Sequence, residues 1–542
     1  HTHKQAHNVS HERTGDHQKA LSESKLCLIN AGPTGSETLK NLVLPGCGHF
    51  VVVDAAPVTA GDVGNNFFVT VEDMGRPRAQ VVTELLMEMN PDVSGTHRAE
   101  DAMAILASEP DYFKQFTLVI ATQLPEADAV RLTDSLYGAV PVVLVRSYGQ
   151  IASCRLVAKE HNIVESKPDL GANLDDLRCN NPWPELQALA DSVDLDTVSD
   201  FVHAHVPFVL LLLKARTRWM EAVRLSLSTF SLPPHPRAAR CIESLCVRPR
   251  ADEPGKGTML EFGDEDNFME AKDKADKVTM TYSIPDDVQA ALGDPRASTV
   301  SGDSSNFWLL VAALKRFVEA EGAGQLPLDG QVPDMVASSD MFRELQTTYK
   351  AKAAADLAAF SAHLAAVLGD AGQPPTRFED AEIARFCKNC RHLATMTFRP
   401  VSDEVSSDKA AKDEMVTTLM CSEMGEHEPL RWYLGLRAVD MFHATVGHYP
   451  GLVDADVEDD TDKLGSMTSS LIAELGLEGV PVSSKIVSEL VRFGATELHT
   501  TAAFIAGIAS QEIVKLITHQ FRPMDNTHVY NGIATFSATY EL

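Results

Sequence analysis

Between residues 25 and 150, short apolar blocks alternate with polar stretches whose apolar residues recur three or four positions apart. Lys25–Ile29, Phe50–Asp54, Thr117–Ala121 and Pro141–Val145 are rich in branched residues and bounded by breakers, which predicts buried strands. One helix is predicted from Ser36 through Leu39, Leu42 and Val43, another over Val81, Val82, Leu85, Leu86 and Met89. Strands alternating with helices predict a doubly wound α/β fold with a mainly parallel sheet covered on both faces. After Tyr148-Gly149 the pattern changes, and residues 166–486 are mostly helical patterns broken by acidic and Pro/Gly stretches. Leu357, Phe360, Leu364 and Leu368 form a stripe at helical spacing that predicts core packing. Thr500–Ile517 returns to small apolar residues, a helix that permits close backbone approach, and Val529–Tyr530 and Ile533–Phe536 suit short strands. The expected organisation is a tail at 1–14 that is disordered or not native sequence, a first α/β segment at 15–165, a large helical insertion at 166–486 and a return segment at 487–542. Order is expected to begin at Lys25.

Composition narrows the function classes. The 542 residues carry 76 acidic against 47 basic side chains, a formal charge of −29. A general nucleic-acid or anionic-membrane binder needs a basic face, so neither partner is expected. The longest apolar run, Val206–Leu213, falls short of the ~18 residues a membrane-spanning helix requires. His1, His3, His7, His11 and His17 lie in a polar stretch with no apolar core, so neither a signal peptide nor a metal site is expected there. Nine scattered cysteines fit reduced thiols, pointing to the cytoplasm and nucleus. The acidic run Asp454–Asp462 lacks the ligand spacing and central glycine of a calcium loop and reads as a solvated charge run, as does Glu261–Asp266.

Candidate chemistry centres on the first strand–turn–helix, Cys27–Glu37. A dinucleotide or ATP loop here would read G-x-G-x-x-G. The chain has Asn30 at the first position, Gly32 at the second and Gly35 at the third, and Pro33 removes an amide donor from the phosphate cradle. Asp54 lies about twenty residues past Gly35, where a ribose-binding acid belongs. From these residues alone a nucleotide site and a packed turn without ligand both remain open.

Ile29–Leu42 resembles the first turn and helix of the ubiquitin-activating superfamily, whose bacterial relatives are the MoeB and ThiF adenylating proteins. Asp62–Phe68, Ala121–Pro125, Val145–Gly149, Asn181–Leu186, Leu436–Phe442, Phe493–His499 and Ala503–Thr518 narrow the resemblance. Together they are similar to the regulatory-subunit family of the heterodimeric neddylation (Rub) activating enzyme, leaning towards its plant auxin-resistance branch. The likeness runs from about Gly15 to Leu542.

Several functions follow from that resemblance. The active halves of the superfamily hold MgATP with an intact glycine loop, an Asn-Arg-Gln-Phe segment, a metal-binding Asp and a Lys. The corresponding positions here are Asn30, Gly32, Pro33 and Gly35; Asn65 and Asn66 with no Arg; Thr122 and Gln123; and Arg78 in place of Lys. The resemblance thus implies a pseudo-adenylation domain with no catalytic residue, metal or cofactor of its own, MgATP being held by a catalytic subunit. No cysteine stands in the Cys-Thr context of the family's thioester nucleophile. Cys387-Lys-Asn-Cys390 reads as a thiol pair on a helix, and Cys241 and Cys246 have no special context.

The implied role is to pair with the catalytic subunit and supply half of the catalytic-cysteine domain. The modifier and its conjugating enzyme are met through the complex, which supports cullin modification. The family's N-terminal finger arginine falls on Val9, with Arg13 the nearest guanidinium. Arg13 is therefore the candidate trans-acting arginine unless residues 1–14 are not native. The residues leave open a Rossmann-type oxidoreductase, suggested by Gly32, Gly35 and Asp54 alone, a stand-alone adenylating enzyme, and an adaptor without an enzyme partner.

Overall fold

The expected strands form as Lys25–Ile29 (β1), His49–Val53 (β2), Leu118–Thr122 (β4) and Val142–Tyr148 (β5), paired in parallel in the order β2-β1-β4-β5. This computed structural model describes residues 18–165, 176–226, 236–246, 248–249, 259–260, 264–280, 282–406, 409–453, 456–477 and 482–542. Both faces of β1 are covered, which is why it reads as an unbroken apolar run. Leu26 and Leu28 enter one core with Leu39, Leu42, Ile505 and Ile513. Cys27 and Ile29 enter the other with Phe113, Leu132 and Leu136. Residues 18–22 are already helical, with Leu21 in the first core, so order starts earlier than Lys25.

Ser94–Arg98 (β3) pairs with β2 at the sheet edge and was invisible in the apolar pattern. Its Ser-Gly-Thr-His-Arg sequence is polar because an edge strand has one unpaired side to protect. Gly95 is required there, since a Cβ would lie 2.3 Å from the Phe50 ring.

The change of pattern after Gly149 opens on a further strand, before the helices expected from 166. Gly149 adopts φ +56° and turns the chain into Ile151–Ile163 (β6), antiparallel to β5. Ala394–Phe398 (β7) also pairs with β6. Thr527–Asn531 (β8) and Phe536–Tyr540 (β9) extend the sheet by antiparallel pairing, giving the order β9-β8-β6-β5-β4-β1-β2-β3. The helix Pro33–Val43 packs against the helix His499–Thr518, which also lies on β5 and β6. Ala502, Ala506 and Ala509 in that contact are buried.

The α/β unit comprises residues up to 163 together with 395–542, and residues 164–394 form a second unit. The return segment thus begins at Thr395 rather than 487. Residues 395–486 belong with the sheet because Leu430, Leu436, Phe442 and Leu464 share a core with Tyr148, Ile151 and Val529. The expected acidic loop at 454–462 is largely a helix start in this unit. Glu458, Asp459 and Asp460 occupy the first turn of Val457–Glu474, where the helix dipole favours negative charge. Asp460 is buried and accepts from the Gly451 amide at 2.8 Å. Residues 454–455 and Glu261–Gly263 lie outside the described residues.

The second unit is mainly helical, with one two-residue ladder between Arg248–Pro249 and Met259–Leu260. Phe208–Leu213 supplies a buried face of Phe208–Ser226. Asn306–Glu319 packs on Ser339–Asp370, whose Phe360, Leu364 and Leu368 are buried as the stripe predicts. Cys387 closes the helix Asp380–Asn389 and Cys390 opens the next turn; both are buried, and desolvation pushes the Cys387 thiol up to about 12. By length and composition, Ser339–Asp370 and His499–Thr518 are each apolar enough to span a membrane. Polar residues interrupt both, so neither shows as a contiguous apolar run; over half of the apolar window in His499–Thr518 is buried inside the protein.

Candidate functional site

The loop after β1 is built from backbone geometry. Asn30 takes φ +64°, the left-handed region a first glycine would supply, and its side-chain Nδ2 donates to the Thr122 carbonyl at 2.8 Å. Asparagine tolerates this conformation better than other side chains. Gly35 cannot be replaced cheaply, because a Cβ would sit 2.2 Å from the Asn30 carbonyl oxygen. Pro33 opens the helix Pro33–Val43, a position where its missing amide costs the helix nothing but where a phosphate would have used it.

Two further amides of the loop, those of Ala31 and Thr34, are committed to carboxylates of the protein. The Ala31 amide donates to Asp54 Oδ2 at 2.8 Å. The Thr34 amide and hydroxyl both donate to Glu497 Oε2, at 3.1 and 2.6 Å, and Thr34 Oγ1 lies 2.7 Å from Ser147 Oγ. Gly32 lets that carboxylate approach, since a Cβ there would be 2.7 Å from Glu497 Oε1. Glu497 enters from a segment anchored by the Gly149 amide, which donates to the Thr496 carbonyl at 2.7 Å.

Asp54 follows β2 and accepts from Arg78 Nε at 2.7 Å and from the Ala56 amide at 2.9 Å. Arg78 Nη1 also donates to Asp62 Oδ1 at 2.8 Å. Burial opposes the Arg78 charge, but Asp54 and Asp62 outweigh it and raise its pKa. Beyond β4, Thr122 Oγ1 donates to the Asn30 carbonyl at 2.7 Å. Gln123 clips Ser147, donating to its carbonyl at 2.7 Å and accepting from its amide at 3.0 Å. Asn66 donates to the Ala31 carbonyl and Ser36 Oγ, at 3.3 and 3.2 Å. Asn65 ends the short helix Ala60–Asn65.

Asn30, Gly32, Asp54, Arg78 and Gln123 thus converge on one cleft of about 400 Å³. Pro33, Gly35, Asn65, Asn66 and Thr122 do not line it. Arg13 lies outside the described residues. The lining residues that carried no assigned role in the sequence include four with large polar or charged side chains, Glu497, Arg146, Tyr148 and Tyr449. Three of them stood inside quoted segments, Val145–Gly149 and Phe493–His499, so the signal was present without a role. Arg146 is held by Asp440 through two 2.7 Å bonds, the bidentate fork-to-carboxylate geometry.

Within the cleft and its immediate pairs, Asp54, Asp62, Asp101, Asp440 and Glu497 face only Arg78 and Arg146. Burial raises the Glu497 pKa, the mark of a carboxylate held away from water. A polyphosphate entering here would meet paired guanidiniums and a carboxylate at the helix N-terminus. Among the described residues no group of three or more His, Cys, Asp or Glu is placed to hold a metal. Cys421 is the exposed thiol, at the end of Lys409–Cys421 and away from the cleft lining.

Residues 5–129 match the model described as the ThiF family, so the likeness reaches ahead of Gly15 into the expected tail. The chain is 38% identical over 530 residues to the NEDD8-activating enzyme E1 regulatory subunit of Xenopus laevis, covering 97% of this chain and 96% of that protein. Against the Danio rerio protein of the same name it is 39% identical over 530 residues, with the same coverage. It is 38% identical over 518 residues to the NEDD8-activating enzyme E1 regulatory subunit AXR1 of Arabidopsis thaliana, covering 95% of this chain and 92% of that protein.

Proposed function

The chain belongs to the family of NEDD8-activating enzyme E1 regulatory subunits, and from that membership we propose that it is the non-catalytic half of a heterodimer whose other subunit holds MgATP. The heterodimer adenylates the ubiquitin-like modifier, links it as a thioester and passes it to a conjugating enzyme for cullin modification. This chain supplies a pseudo-adenylation fold and a helical unit, not the reacting groups. The observation that carries this reading is the commitment of the cleft's donors and guanidiniums to the protein's own carboxylates, with Thr34 on Glu497, Arg78 on Asp54 and Asp62, and Arg146 on Asp440. A nucleotide drawing on Thr34, Arg78 or Arg146 must first take the bond from an internal partner.

The placement of the cysteines supports the same division of labour. A thioester nucleophile needs an accessible thiolate, and Cys421, the exposed thiol, lies away from the cleft. The near full-length likeness to regulatory subunits disfavours an oxidoreductase. The net charge of −29 supports an assembly that works away from nucleic acid and anionic membranes, in the cytoplasm and nucleus.

The test is ATP–pyrophosphate exchange. The purified chain alone gives no exchange, whereas the chain mixed with a catalytic subunit co-purifies with it and gives exchange and modifier charging. Exchange by the chain alone, or failure to co-purify, overturns the reading.

A further inference from the structure

We infer that Glu497 is an intramolecular stand-in for a ligand oxyanion: its carboxylate fills the anion seat at the N-terminus of Pro33–Val43 and thereby sets the cleft against phosphate. The seat has three parts that meet at one carboxylate. Thr34 offers two donors, its amide and its hydroxyl, and both end on Glu497 Oε2. Gly32 leaves room for the other oxygen, Oε1, which any side chain at position 32 would displace. The carboxylate is delivered by a fixed segment, with Gly149 bonded to Thr496 and bridged to Glu497 as a short parallel pair.

A helix N-terminus presents amides and a partial positive charge, which attract a carboxylate as they attract a phosphate. A tethered carboxylate has a large advantage over a free one, because its translational freedom was surrendered on folding. The seat is therefore closed to dilute anions while Glu497 is present, and it opens when the carboxylate is removed. The ligand class it then accepts is a small oxyanion, carboxylate or phosphate. This deepens the proposed role and rests on it, since a subunit that leaves ATP to its partner has no use for a vacant anion seat.

The experiment is anion rescue of stability in the full chain. Glu497→Ala leaves the Thr34 amide without its acceptor, while the hydroxyl keeps Ser147 Oγ, and lowers the melting temperature. Sodium acetate or sodium phosphate then raises the melting temperature of the variant several-fold more than that of the wild type, with sodium chloride at matched ionic strength as the reference. The acetate and phosphate arms separate a carboxylate seat from a phosphate seat. Glu497→Ser, which opens the seat while keeping a polar side chain, is the second variant should the alanine form fail to fold. Equal responses of variant and wild type to all three salts overturn the inference. That outcome leaves the exchange and co-purification results untouched, so it is distinguishable from failure of the regulatory-subunit reading.

Discussion

Glu404 is the residue whose removal tests the electrostatic reasoning most severely. It is 1% exposed on the helix Val401–Val405 and touches two guanidiniums. Arg155 of β6 donates to Oε2, and Arg437 Nη1 donates to Oε1 at 3.2 Å. Tyr433 Oη adds a bond to Oε2 at 3.1 Å. After Glu404→Ala, Arg437 keeps Glu126 at 2.5 Å, but Arg155 keeps only Thr527 Oγ1 and the backbone oxygen of Leu542. An unbalanced buried charge costs about 3–5 kcal/mol when its partner is deleted. The stranded Tyr433 hydroxyl contributes about 1–3 kcal/mol that overlaps with this figure rather than adding to it. The expected loss is therefore about 3–5 kcal/mol, read by urea titration with hydrogen exchange on β6 and β8, so that the α/β unit is followed by itself. Glu404→Leu combined with Arg155→Met removes both charges and should recover most of the loss. A single-variant loss below about 1 kcal/mol, or no recovery in the double variant, refutes the idea that charge balance holds this layer.

Gly149→Ala places a Cβ 2.1 Å from the Phe493 ring at a φ of +56°. The expected cost is about 2–4 kcal/mol from overpacking and left-handed strain, measured by thermal unfolding. His161 is buried between Phe398 and His519, and burial together with the His519 charge lowers its pKa to about 3. A histidine depressed in the folded state stabilises fully above its unfolded pKa near 6.5, and that stability is lost as pH falls from there towards 3. At pH 5 the loss is about 2 kcal/mol relative to pH 8, and His161→Phe should flatten that part of the stability–pH curve. Cys421→Ser should leave modifier charging by the heterodimer unchanged, as should alkylation of the native chain, whose labelled residue mass spectrometry should place at Cys421.

Buried parallel strands announced themselves because both faces must be apolar, so β1, β2, β4 and β5 were legible to within one or two residues except at the C-terminal end of β5. β3 was not, since Ser94–Arg98 is polar on an edge. β6 escaped because it follows a two-residue turn at Gly149-Gln150 and its second half, Lys159–Ile163, is mixed in polarity. The unit boundary at Thr395 was hidden for a related reason. The helices after it carry the same stripe as those before it, and a stripe says that a face is buried without saying against what. At the site, the altered loop could be read directly from Asn30, Pro33 and Arg78. The partners that neutralise it could not, because Glu497 and Asp440 lie hundreds of residues away and only the fold brings them to Thr34 and Arg146.

On the proposed reading, the committed cleft takes over the structural part that a bound nucleotide plays in a catalytic subunit. A ligand present at a hundred times its dissociation constant stabilises its host by about 2.7 kcal/mol, but only while it is bound. In a catalytic subunit that contribution rises and falls with each turnover. Here the bonds from Thr34 to Glu497, from Arg78 to Asp54 and Asp62, and from Arg146 to Asp440 are intramolecular and permanent. The Thr34 bonds tie the first strand–turn–helix to the segment at Glu497, and the Arg146 bonds tie β5 to Asp440, joining the two stretches of chain that make up the α/β unit. The cleft's charges thus do structural work that a bound nucleotide would do only intermittently. A half-enzyme built this way offers its partner a surface whose shape does not depend on ATP, which is the property a scaffold subunit needs while the other half cycles through adenylate and thioester.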